Sequence, residues 1–126
     1  MEEQKLKRFA RHVARRIREL GEDAVQVMGD PDRLVRRVAV GVGCVVPDQE
    51  MVEAGADVLI VCFDGASYWA HRERNVEAGA AIISVEHGAS ETPGLMALRD
   101  HLAVRFPSVD FVFIAEHPRT WTVRAD

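Results

Sequence analysis

His87 and Glu91 stand four residues apart in Val85-Glu86-His87-Gly88-Ala89-Ser90-Glu91-Thr92-Pro93-Gly94, directly after a β-rich apolar run. Imidazole and carboxylate are both good ligands for first-row divalent metals, and a strand-to-helix junction can hold such a pair open to solvent. Gly88 permits close approach, and Ser90 or Thr92 can cap a helix ahead of Pro93. Spacing alone is a weak signal, because acidic residues are common enough to fall four places after many histidines. Glu91 equally suits the first turn of a helix, where the dipole favours a carboxylate.

The other candidates carry less. His71 follows Tyr68 and Trp69 near the start of a helix that succeeds a buried strand, and Asp64 sits in the turn after that strand; both are candidates for the rim of a pocket. His12 and His101 read as surface residues, and His117 lies past the last expected strand in a terminal segment. Cys44 and Cys62 lie in apolar surroundings without a Cys-x-x-Cys spacing. Two reduced core cysteines are the better reading, with a disulfide or thiolate site as the alternative. Gly41-Val42-Gly43 lacks the third glycine of a dinucleotide loop, so it reads as a turn that packs a helix closely against a sheet. There is no Walker lysine motif, no Gly-x-Ser-x-Gly and no structural zinc cluster.

These side chains need a scaffold, and the apolar pattern supplies one. Leu6, Phe9, Val13, Ile17 and Leu20 recur at spacings of three and four, which predicts an amphipathic helix over residues 1–21 with Gly21 at its end. A short strand is expected at Ala24–Met28 and a longer one at Leu34–Val42. A short helix opens at Pro47 and closes at Gly55. Asp57–Phe63 is a buried strand, Ser67–Ala78 a helix, and Ala80–Val85 a third buried strand. Thr92–Phe106 is predicted helical, with Leu95, Leu98, Leu102 and Phe106 as its stripe and Pro107 as its stop. Val109–Ala115 is the last expected strand. Continuous apolar strands alternating with helices indicate a single α/β domain over residues 1–126, its sheet covered by helices on both faces and its crossovers right-handed.

The 126 residues suffice for a real core. No apolar run is long enough to span a bilayer, and the charged start has no signal-like apolar region, so a cytoplasmic protein is expected. Net charge is −4, unevenly spread: residues 1–37 carry ten Lys/Arg against seven Asp/Glu, the remainder six against thirteen. The basic excess on the first helix reads as its solvated side and not as a nucleic-acid face, since no aromatic residues interleave with the arginines.

Three segments share a further pattern: Val35-Arg36-Arg37-Val38-Ala39-Val40-Gly41-Val42-Gly43, Gly55-Ala56-Asp57-Val58-Leu59-Ile60, and His87-Gly88-Ala89-Ser90-Glu91 with its continuation Thr92-Pro93-Gly94-Leu95-Met96-Ala97-Leu98. Together they resemble the C-terminal half of the Ngg-one-interacting-factor-three-like family, also described as GTP cyclohydrolase I type two-like, over roughly residues 25–118. In that family the histidine and glutamate of this segment are ligands of a two-metal centre. The resemblance therefore implies that role for His87 and Glu91, a divalent metal such as zinc, manganese or iron, and hydrolytic chemistry in which the metal activates water. It also implies a homo-oligomer, since characterised members form ring-shaped hexamers with the metal sites facing an interior cavity. His71 falls near a histidine that many members carry after the second strand.

The family's remaining ligands, a His-His pair and an aspartate, come from an N-terminal half with no counterpart here; no His-His pair occurs in this sequence. Two protein ligands seldom hold a catalytic metal, which typically has three plus water. Three outcomes follow: a second chain completes the centre, oligomerisation brings copies of His87 and Glu91 together, or the fold persists as a non-catalytic scaffold or interaction module.

Overall fold

The computed structural model describes residues 2–65, 69–115, 121 and 123. Ser67 and Tyr68, at the expected start of the third helix, and His117 lie outside the described residues. The elements in chain order are β1 (Gln4–Lys5), α1 (Leu6–Ile17), β2 (Gln26–Met28), β3 (Leu34–Val35), β4 (Val38–Val40), α2 (Asp48–Glu53), β5 (Val58–Cys62), α3 (Trp69–Glu77), β6 (Ala81–Val85) and α4 (His87–Arg105).

A four-stranded mixed sheet runs in the order β2-β6-β5-β4. β4, β5 and β6 are parallel, with Val38 opposite Val58 and Val58 opposite Ala81, while β2 joins antiparallel along β6. Side chains on successive residues of a strand point to opposite faces. One face therefore gathers Val58, Ala81, Ile83 and Val85 with the α1 stripe Leu6, Phe9, Ala10, Val13 and Ile17. The other gathers Leu59, Val61, Ala80 and Ile82 with Met51 and Val52 of α2. The expected α/β sheet with helices on both faces is present.

Local chemistry sets the boundaries. After α1 a 3-10 turn (Arg18–Leu20) leads to Gly21 at φ 94°, a left-handed conformation that glycine adopts without steric penalty. The single strand expected over Leu34–Val42 is broken in two. The Asp57 carboxylate accepts the backbone N–H groups of Arg36 and Arg37 at 2.8–3.0 Å, taking them out of any ladder. β3 then pairs with β1 in a separate two-stranded ladder. Asp48, buried at the start of α2, accepts from Asn75 Nδ2 at 2.7 Å and Arg74 Nη2 at 3.1 Å, fastening α2 to α3. Burial raises the Asp48 pKa, but Asn75 and Arg74 outweigh it and hold the group below the usual carboxylate range.

Two expectations fail at the C-terminal end. α4 begins at His87, five residues before the predicted Thr92, because Glu86 caps it from outside; Pro93 is accommodated within the helix. The strand expected over Val109–Ala115 is not formed; the segment leaves α4 without joining a ladder, and Val112 and Ile114 are exposed. Among the described residues no helix is long and apolar enough to cross a membrane.

Candidate metal centre

The C-terminal ends of β5 and β6 bring the chemistry together. β5 ends at Cys62, and the Phe63-Asp64-Gly65 turn follows, tied back by Gly65 N–H to Cys62 O at 3.1 Å and by Phe63 N–H to Val85 O at 2.9 Å. Gly65 is required sterically: a Cβ there would lie 2.7 Å from Gly43 O and 3.0 Å from Cys62 Sγ. On the neighbouring strand, β6 ends at Val85. The extended Glu86 then accepts the Ala89 N–H at 3.0 Å, capping α4 and setting His87 in its first turn.

The cap is therefore Glu86 and not Ser90 or Thr92. Those hydroxyls bond backwards instead, Ser90 Oγ to His87 O at 2.7 Å and Thr92 Oγ1 to Gly88 O at 2.8 Å. Such back-bonding satisfies a hydroxyl inside a helix without competing for the cap.

His87 is the hub. Its Nδ1 lies 2.7 Å from Asp64 Oδ2 and its Nε2 3.3 Å from Glu91 Oε1, so one imidazole sits between two carboxylates. All three side chains are roughly half-exposed, which leaves the site open to solvent. Asp64 pulls the His87 pKa above its ordinary value, first by its hydrogen bond and then by its charge, with Glu91 adding to the effect. In return Asp64 is held below the usual carboxylate range, first by the Cys62 thiol and then by His87.

Cys62 lies behind Asp64. Its Sγ lies within hydrogen-bond range of Gly43 O and Asp64 Oδ1, which share its one proton, and burial followed by the adjacent carboxylate pushes its pKa up to about 11. The thiol is thus held protonated near neutrality. Cys62, Asp64 and His87 each offer one ligand atom, all within 4.8 Å of one another, a group that could hold a metal ion. That group uses the Nδ1 side of the imidazole, whereas Glu91 faces Nε2.

Of the residues singled out in the sequence, His87 and Glu91 are adjacent as their spacing implies, and Asp64 joins them. His71 does not: it lies on α3 with its Nδ1 3.9 Å from Asp48 Oδ2, beside Arg74. Cys62 is buried and unpaired to sulfur as expected, but it is part of the site and not mere core. Cys44 is exposed, contrary to the core reading, because it lies in the loop after β4. Gly41 behaves as the packing glycine foreseen, a Cβ there falling 2.6 Å from Val46 and 3.3 Å from Met51 of α2. Gly43 was missed. With φ 73° it turns its carbonyl onto Cys62, and a Cβ would stand 3.3 Å from Glu91 Oε1, so the glycine loop forms one wall of the centre.

The fold is similar to that of a Bacillus cereus protein related to NIF3, with a TM-score of 0.71 and 24% identity over 86% of this chain. It is also similar to a Staphylococcus aureus hypothetical protein, SA1388, with a TM-score of 0.67 and 18% identity over 85% of this chain. The chain spans only 28% and 29% of those two proteins' own lengths. No curated protein matches it. The family model for Duf34/NIF3 (NGG1p interacting factor 3) matches residues 1–119, taking in α1 as well as the segments that carried the resemblance, and the chain belongs to that family.

Proposed function

We propose that this domain binds a divalent metal ion through His87 and Glu91, with Asp64 positioning the imidazole. The observation that carries the reading is the 2.7 Å contact between His87 Nδ1 and Asp64 Oδ2, with Glu91 Oε1 3.3 Å from the other ring nitrogen. Metal-binding histidines commonly donate their second N–H to a carboxylate, which fixes the tautomer and raises ligand basicity. Here Nδ1–H donates to Asp64, and on loss of the second proton Nε2, beside Glu91, becomes the ligating nitrogen.

The donor set fits the group. One imidazole and a carboxylate suit zinc, manganese or iron, and the half-exposed site leaves coordination positions free. Cys62 is the weaker donor, since a thiol near pKa 11 must first lose its proton. A bound divalent ion supplies Lewis acidity and a water of lowered pKa, the chemistry of a hydrolase. With two ligands from these residues, hydrolysis requires further donors that complete the rest of the centre.

The test is metal titration of purified protein by calorimetry with zinc and manganese. Stoichiometric binding that is lost in His87→Ala/Glu91→Ala and weakened in Asp64→Asn supports the reading. Unchanged binding in the double variant would refute it, and loss confined to Cys62→Ser would move the ion to the Nδ1 side. A second reading, a non-catalytic scaffold or interaction module, is favoured by the exposed apolar length of α4.

A further inference from the structure

Two features far apart in the sequence each lack what the other offers. Among the described residues β4 is an edge strand: the sheet ends there, its ladder is made only with β5, and no other described strand pairs with its outward N–H and C=O groups. Such an edge is a template for strand addition. Val40 and Val42 beside it are 62% and 53% exposed. They form the rim of a groove of about 730 Å³ between α1 and α4, walled by Ile17, Leu20, Pro93 and Met96.

The second feature is the chain beyond the anchored start of α4. Ala89 is the last buried residue of that helix. Between residues 95 and 114, eight large apolar side chains are exposed, among them Val104 at 85%, Val112 at 79% and Ile114 at 85%. Together they expose on the order of 800 Å², comparable to what one partner contributes to a standard-size interface. Val109-Asp110-Phe111-Val112-Phe113-Ile114-Ala115 has the β-branched and aromatic composition of a strand, yet it pairs with nothing in the described structure.

We propose that Val109–Ala115 is an exchange arm, adding as a strand to the free edge of β4 in a second copy of this chain and covering the α1–α4 groove there. The choice of occupant follows from reciprocity. A foreign strand would satisfy β4 and leave the arm bare, whereas two copies exchanging arms satisfy both edges and both arms in a closed pair. The inference goes beyond the metal reading and does not depend on it.

Light scattering on the full chain, from about 1 to about 100 µM, with hydrogen exchange on the same samples, tests the proposal. A dimer mass is expected, with the amides of residues 111–114 protected only where dimer is present. Val112→Asp/Ile114→Asp on the arm, and separately Val40→Lys on the edge, should each weaken dimerisation by at least about tenfold. Circular dichroism checks that each variant remains folded, the expected result because all three positions are exposed. A wild-type chain that stays monomeric at about 100 µM, or a dimer that both variants leave intact, overturns the proposal. So does protection of residues 111–114 in monomer alone, which would mean that the arm closes on its own β4.

Discussion

The two ends of α4 are one helix under opposite regimes. At its N-terminus Glu86 caps the backbone, Ala89 is buried, and His87 and Glu91 are held between the β5 turn and the glycine loop. From its middle onward the same helix exposes Leu95, Leu98 and Val104, with Phe106 exposed at its C-cap. A helix of 19 residues extends about 28 Å, far longer than the first two turns that rest on the sheet. The contrast separates two meanings of an apolar residue: at β5 and β6 it marks a core already made, and on distal α4 it marks a surface awaiting one.

Truncations sharpen this most. Leu59 is fully buried within the α2 face, so Leu59→Ala should lower unfolding free energy by about 2–5 kcal/mol in chemical denaturation. Leu98→Ala, half-exposed on α4, should change it by less than about 0.5 kcal/mol. Equal losses at the two positions would show that distal α4 is packed and erase the distinction.

At the anchored end, Asp64→Asn should weaken metal binding by about 10–100-fold at pH 8 while leaving the fold intact, as loss of a carboxylate behind a ligating imidazole does. Replacing the cap is smaller: Glu86→Ala should cost about 1 kcal/mol of stability, read from thermal unfolding.

The pH dependence has a defined sign. The His87 pKa is raised in the folded protein, so its pairing with Asp64 stabilises the fold fully below the unfolded histidine value, and that contribution is lost as pH rises through the folded value. A proton and a metal compete for the same imidazole, so metal affinity should fall as pH drops below that raised value. NMR titration of His87 in metal-free protein should give a midpoint above 6.5 that moves down in Asp64→Asn.

Much of this was legible in the chain. The uninterrupted apolar run at Val58–Cys62 and the one at Ala81–Val85, broken only by Ser84, suit strands buried on both faces, and both are. The i, i+4 pair was visible, and its closeness follows from helical geometry. Asp64 was visible only as a pocket candidate, because its contact with His87 joins two strand ends 23 residues apart. Cys62 was hidden for a different reason: a buried thiol has the same sequence context whether it only fills space or supports a carboxylate. The break between β3 and β4 escaped because Asp57, the residue that causes it, lies 20 positions downstream. The failed last strand has the correct composition and lacks a partner edge, which composition does not encode.

The central claim rests on His87 Nε2 and Glu91 as ligands. A calorimetric manganese or zinc titration of the wild-type chain beside His87→Ala/Glu91→Ala, at pH 8, tests it most directly. One saturable site is expected in the wild type and none in the double variant; equal isotherms, or no heat in either, would rule these ligands out.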